Sequence, residues 1–134
     1  WITLQKGVEF VLSCFSMTQG GEIFVPKIPS MKTSDLARIM APKLETHVIG
    51  IRPGEKLHEV MITEEESRTV LELPDRYIIR PMLYGEQQHY HADESRVAED
   101  FRYASDTNSI WIDDDEMRRL LADLDQAPHT GAVV

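Results

Sequence analysis

The sequence predicts an α/β fold, and three observations carry that expectation. Helical and strand-like apolar periodicities alternate through residues 3–51 in the order helix, strand, helix, strand. Residues 50–59, Gly-Ile-Arg-Pro-Gly-Glu-Lys-Leu-His-Glu, then form a Pro-Gly corner directly after the apolar run Thr46-His47-Val48-Ile49. Strand ends followed by tight turns are where α/β proteins commonly place ligand-contacting groups. Finally, 134 residues with 42% hydrophobic and 28% charged content suit a single soluble globular domain.

The elements follow in order. Leu4, Val8, Val11, Leu12 and Phe15 recur at helical spacing, with Thr3 as the N-cap and Gly20-Gly21 as the stop. Cys14 falls inside this segment and reads as a small core residue. Glu22-Ile23-Phe24-Val25 is a short strand ended by Pro26, which lacks the N–H that a ladder needs. Beyond the loop Pro29–Lys32, Thr33 or Ser34 caps a second helix with Leu36, Ile39 and Met40 on one face, ending near Pro42. Thr46–Ile51 is the second strand. A connection of ~20 residues is long enough for a right-handed crossover, so the two strands are expected to be parallel neighbours.

Past the corner, Glu55–Met61 reads as a short helix with Leu57, Val60 and Met61 inward, and Glu64–Glu66 as a solvated turn. Thr69–Leu73 and Arg76–Arg80 read as two strands around Pro74-Asp75. Residues 84–100 are polar and weakly patterned, a surface excursion. Phe101-Arg102-Tyr103 and Ile110-Trp111-Ile112 flank the polar loop Ser105–Ser109. Asp113–Glu116 then place acids at the positive end of an amphipathic helix bearing Met117, Leu120, Leu121 and Leu124. One domain over residues 1–125 and a flexible tail over 126–134 are expected.

A net charge of −9, from 14 Lys+Arg against 23 Asp+Glu, argues against generic binding to nucleic acid or anionic lipid. A local pocket of one or two cations remains compatible with it. No apolar stretch approaches the ~18 residues of a membrane span, and no secretory leader is readable at the start. A single cysteine rules out an intrachain disulfide framework and fits a reducing cytoplasm. The chain enters a helical pattern almost at Trp1 and reads as a piece of something longer.

Arg52 sits on the corner, and its planar fork suits phosphate or carboxylate; the plainer alternative is a surface pair with Glu55 or Glu59. The glycines, at 7, 20, 21, 50, 54, 85 and 131, form no phosphate-cradling loop. His89-Tyr90-His91 lacks a neighbouring ligand cluster and reads as an exposed loop, so no metal site is expected. His58 lies beside Glu59 without a nucleophile to serve as base for. The acids Asp113–Asp115 read as helix capping ahead of a divalent-metal site. The loop Ser105–Ser109, bracketed by Tyr103 and Trp111, is a second candidate ligand surface; its rival is an Asx-turn with Trp111 buried in the core.

Two long motifs carry a family resemblance: Gly20-Gly21-Glu22-Ile23-Phe24-Val25-Pro26-Lys27-Ile28-Pro29-Ser30-Met31-Lys32, and Ile49-Gly50-Ile51-Arg52-Pro53-Gly54-Glu55-Lys56-Leu57-His58-Glu59. Together they closely resemble the inverting UDP-N-acetylglucosamine 4,6-dehydratases, extended short-chain dehydrogenase/reductase enzymes that open the route to pseudaminic acid. Trp1-Ile2-Thr3-Leu4 and the Tyr103, Asn108, Trp111 pattern look like the same family, so the resemblance covers essentially residues 1–125.

The resemblance implies the C-terminal sugar-nucleotide-binding portion of such an enzyme, without its N-terminal Rossmann half. Arg52 would match the family's pyrophosphate-contacting arginine, and Asn108, Ser109, Ile110 and Trp111 fall where the family contacts substrate. No catalytic residue and no cofactor-binding residue of the family has a counterpart here, so NADP would belong to the missing half and this chain alone would be inactive. The intact enzyme would oxidise C4 of UDP-N-acetylglucosamine, eliminate water across C5–C6 and return hydride to C6 with inversion at C5. A cytoplasmic homo-oligomer acting on a UDP-sugar is implied. An NAD(P)-dependent epimerase, a retaining dehydratase, or a free-standing UDP-sugar-binding module are the rival readings.

Overall fold

The computed structural model describes residues 1–81 and 94–126. Helix α1 spans Leu4–Phe15, and the Thr3 hydroxyl caps it by accepting the Lys6 N–H at 3.3 Å. Its apolar stripe is not buried within this chain: Leu4, Val8, Val11, Leu12 and Phe15 are all exposed, Leu4 at 85%. The helix ends before the glycine pair, where the N–H groups of Met17 and Thr18 both turn back to the Cys14 carbonyl. Gly20 and Gly21, at φ 120° and 85°, then carry the reversal into the first strand. Glu22 closes that turn by accepting from the Thr18 hydroxyl at 2.9 Å and from the Gln19 and Gly20 N–H groups at 2.8 and 2.9 Å. Burial pushes its carboxyl up, but these donors outweigh that and hold it down at about 2.

Strand β1 (Ile23–Pro26) pairs antiparallel with β4 (Arg76–Ile79), Ile23 opposite Ile79 and Pro26 opposite Arg76. β4 forms a hairpin with β3 (Val70–Glu72), closed by the Leu73 N–H on the Arg76 carbonyl at 2.9 Å. β3 also pairs with the two-residue β5 (Ser95–Arg96), giving a sheet of order β1-β4-β3-β5. A second sheet pairs β2 (Val60–Ile62) with β6 (Tyr103–Ala104). Alternation sorts side chains onto two faces. Val25, Val70 and Tyr77 meet Ile62 and Tyr103 of the second sheet in one cluster. Leu71, Leu73 and Ile78 form the other, with Met17 and Phe24 packed against it.

Arg76 ties α1 to this framework. Its side chain is only 6% exposed, and its guanidinium donates to Asp75 at 2.7 and 3.0 Å, to the Ser13 hydroxyl at 2.8 Å and to Cys14 Sγ at 3.3 Å. It also lies 4.7 Å over the Phe10 ring. Arg76 holds the Asp75 carboxyl below its usual range, whereas burial pushes the Cys14 thiol up. Cys14 is therefore half-buried beside a cation, where a core position was expected.

Helix α2 (Thr33–Met40) takes in both residues expected to cap it, with Lys32 at the cap position and no side chain capping it. Helix α3 (Asp114–Gln126) is capped by Asp113, whose Oδ1 accepts the Glu116 N–H at 2.8 Å. The Arg38 guanidinium grips both Asp114 oxygens at 2.9 and 3.0 Å and so links α2 to α3. Asp115 pairs with Arg118 at 2.8 Å. The acids 113–115 are thus a helix cap and ion-pair partners.

Helices and sheet mix as predicted, but the expected parallel pair is not there. Residues 46–51 form no strand, and β1 takes β4 as an antiparallel partner in its place. Strand propensity expresses itself through cross-strand pairing, and the 46–51 run has no ladder to join; Val48 is 94% exposed. Nor is there a helix over 55–61. A window that short does not offset helix nucleation, and Val60–Ile62 pairs with β6. The hairpin around Pro74-Asp75 forms where predicted. Most of the 84–100 excursion, with His89 and His91, and the tail beyond Gln126 lie outside the described residues. No described helix is long and apolar enough to cross a membrane.

Candidate functional site

Three stretches converge on one open cavity of about 840 Å³: the loop 28–33 between β1 and α2, residues 56–61 leading into β2, and residues 103–111. That volume falls in the range of about 300–1,000 Å³ typical of ligand pockets. Non-local hydrogen bonds fix its walls. The Tyr103 hydroxyl accepts the Ile28 N–H at 2.9 Å and donates to the Ile28 carbonyl at 3.1 Å. Ser30 and Trp111 form a short parallel bridge, with the Ser30 N–H on the Ile110 carbonyl and the Ile112 N–H on the Ser30 carbonyl, both at 2.9 Å. On the far side, the Ser105 N–H meets the Glu59 carbonyl at 2.9 Å, and the Ser105 hydroxyl accepts the Glu59 N–H at 3.0 Å.

The lining combines cations with aromatic surface. Lys32 and Lys56 face the cavity, and neither has an ion-pair partner among the described residues. Thr33 also lines it; no side chain caps α2, and with the Asp35 and Leu36 N–H groups both on the Lys32 carbonyl, the Thr33 and Ser34 N–H groups are the ones placed to meet an external acceptor. Trp1 and Trp111, the two tryptophans of the chain, both border the space. Trp111 is 47% exposed, its indole N–H held by the Asn108 carbonyl at 2.7 Å. The negative groups of the lining are Glu59 and Asp106, the latter already paired with Arg102 at 2.9 Å. His58 lines the cavity as well.

The residues singled out from sequence are therefore divided. Asn108 and Trp111 are brought together in the cavity wall, while Ser109 and Ile110 lie between them, exposed and outside the lining. Of the rival reading of that loop, the Asx-turn is present, with Asn108 Oδ1 accepting the Ile110 N–H at 3.1 Å, but Trp111 is not the core residue it expected. Arg52 stands apart. Its side chain is 73% exposed and 3.8 Å from Glu55, whose carboxylate also accepts the Arg52 N–H at 2.8 Å. Lys32 and Lys56 carried no assigned role, although both sit inside the long motifs. Their significance comes from a convergence that only tertiary contacts produce.

A sequence model of the polysaccharide biosynthesis protein family matches residues 1–81. The inverting UDP-N-acetylglucosamine 4,6-dehydratase of Campylobacter jejuni serotype O:2 is 41% identical over 128 residues, 90% of this chain and 38% of that protein. Its counterpart from serotype O:23/36 is 43% identical over 87% of this chain and 37% of its own length. A UDP-glucose 4-epimerase of Rickettsia massiliae is 32% identical over 92% of this chain and 38% of its own. The X-ray structure of Pen from Bacillus thuringiensis matches the fold with a TM-score of 0.74 at 29% identity, covering 92% of this chain and 38% of that one. The chain thus spans 37–38% of the length of the dehydratases it matches. Since the family match takes in both long motifs, the β1 strand and the lysine-bearing stretches of the cavity, this chain belongs to the polysaccharide biosynthesis protein family.

Proposed function

We propose that the cavity binds the nucleoside diphosphate of a UDP-sugar, and that the chain acts as the sugar-nucleotide clamp of an inverting UDP-N-acetylglucosamine 4,6-dehydratase. The observation that carries this reading is the pairing, in one cavity, of two lysines without an ion-pair partner among the described residues and a helix start that no side chain caps with two indole surfaces. Ammonium groups and free backbone N–H groups suit a pyrophosphate, and a flat aromatic wall suits a base or sugar face. In a chain of net charge −9, the two lysines of this lining are matched in number by Glu59 and Asp106, of which Asp106 is already paired with Arg102. In this reading Trp111 forms the aromatic wall, Asn108 stands beside it, and Ser109 and Ile110 shape the turn between them. Arg52 serves as an outer cation on the corner leading to Lys56.

The chain's own residues do not fit a dinucleotide cofactor. Its glycines make no phosphate-cradling loop, and among the described residues β1 is followed by a Pro-containing loop and not by a glycine-rich turn into a helix. NADP, water elimination and the route to pseudaminic acid belong to the proposal through the motif resemblance of residues 20–32 and 49–59. So do a cytoplasmic setting and a homo-oligomeric enzyme. The similarity to a UDP-glucose 4-epimerase favours a sibling reading with the same nucleotide, which product analysis on the full-length protein separates.

Calorimetry with UDP on the 134-residue chain tests the clamp. Saturable binding is expected, and Lys32→Ala and Lys56→Ala should each weaken it about tenfold, ~1.4 kcal/mol for a lost charge-assisted contact. Arg52→Ala should weaken it less. Binding indifferent to both lysines would contradict the assignment.

A further inference from the structure

We propose, on the basis of the nucleotide reading of the cavity, that Asn108 is a positioning residue that sets the shape of the site and donates no hydrogen bond to the ligand. Both N–H donors of its carboxamide are already occupied, and its oxygen accepts one bond within the protein. A carboxamide offers two N–H donors, and Asn108 Nδ2 donates to the Ile28 carbonyl at 2.7 Å and to the Ser30 hydroxyl at 3.0 Å. Its Oδ1 accepts the Ile110 N–H, and its backbone carbonyl receives the Trp111 indole N–H at 2.7 Å. One residue therefore joins the loop 28–30 to the turn that carries Trp111.

The residue type follows from this geometry. Aspartate at the same length would turn acceptors toward the Ile28 carbonyl, and serine would be too short to span the two loops. Tyr103 grips the same Ile28 peptide from the next element along, so Asn108 is one of two independent side-chain pins on that loop. Ser30 lies between them, already fixed by its bridge to Trp111. An asparagine that donates to a ligand would keep an N–H free for it; this one directs both at protein acceptors.

The test combines UDP affinity with the emission of Trp111, read without ligand in a Trp1→Phe background that leaves it as the sole indole. Asn108→Ala is expected to shift the ligand-free Trp111 emission and to weaken UDP binding about tenfold, the scale of one or two lost neutral hydrogen bonds. Ser30→Ala, which removes a single bond of the pin, should produce a smaller shift and a loss of about threefold. The double variant should be no worse than Asn108→Ala alone, since both changes break one unit. Unchanged ligand-free emission with multiplicative affinity losses would overturn the proposal and make Asn108 a direct contact. Should Asn108→Ala fail to fold, Ser30→Ala decides by the same two readouts. If UDP does not bind the unsubstituted chain, the nucleotide reading fails, while the emission comparison still decides whether Asn108 positions Trp111.

Discussion

The two stretches that the sequence marks most strongly, the Pro-Gly corner at 50–59 and the polar loop at 105–111, meet opposite fates in the fold. The corner and the run before it stay exposed: Val48, Ile49 and Ile51 find no core, and Arg52 pairs with Glu55 on the surface. The loop is sewn to residues 28–30 by side-chain and backbone bonds spanning some eighty positions of sequence. Local turn chemistry fixes the path of the backbone at the corner, with Gly50 and Gly54 at φ 86° and 87°. It does not fix what the corner packs against. The cavity arises where long-range bonds hold chain segments, and the corner contributes only through its downstream end at Lys56–Glu59.

Substitutions can break this contrast, beginning with the largest effect. Ile62 is fully buried between the two sheets, so Ile62→Ala should destabilise by ~2–4 kcal/mol through lost burial and a cavity. Ile49→Ala on the exposed run should stay within ~0.5 kcal/mol; chemical denaturation of the pair measures both. Comparable losses would mean that 46–51 packs after all.

Tyr103→Phe comes next. It leaves the Ile28 N–H without its acceptor and one of the two donors to the Ile28 carbonyl missing. A loss of ~1–3 kcal/mol is expected for a buried group left unsatisfied, along with weaker UDP binding if that loop shapes the cavity.

Smaller again is Glu22, which tests whether a local tether behaves like the long-range ones. Its folded carboxyl titrates at about 2 against an ordinary 4.5, so its stabilisation is fully present above pH 4.5 and is lost as the pH falls toward 2. Glu22→Gln should flatten that part of the acid stability profile. At neutral pH it should cost under ~1 kcal/mol, since the group is partly solvated.

Much of the fold was legible in the sequence where local rules suffice. Thr3 caps α1, Pro26 ends β1, the Pro74-Asp75 hairpin forms, and Asp113 caps α3. The failures share one cause. The run 46–51 has strand composition without a strand beside it, and 55–61 has helical spacing but loses its end to pairing with β6. Both outcomes are decided by partners distant in sequence. The site follows the same rule. Asn108 and Trp111 were singled out through the family resemblance, on a polar loop between aromatics that also had a local reading as an Asx-turn, and that turn forms. Lys32 and Lys56 were not, because a lysine on a loop is ordinary until the fold brings two to one cavity with no ion-pair partner among the described residues.

The measurement that tests the central claim most directly is an amide and indole NMR titration of the isotope-labelled chain with UDP. If the tethered cavity is the nucleotide clamp, shifts should concentrate at Lys32, Thr33, Lys56 and the Trp111 indole, and Gly50–Gly54 should move little. Shifts confined to the Arg52 corner, with the Trp111 indole and the start of α2 unmoved, would contradict the account and return the site to the exposed turn.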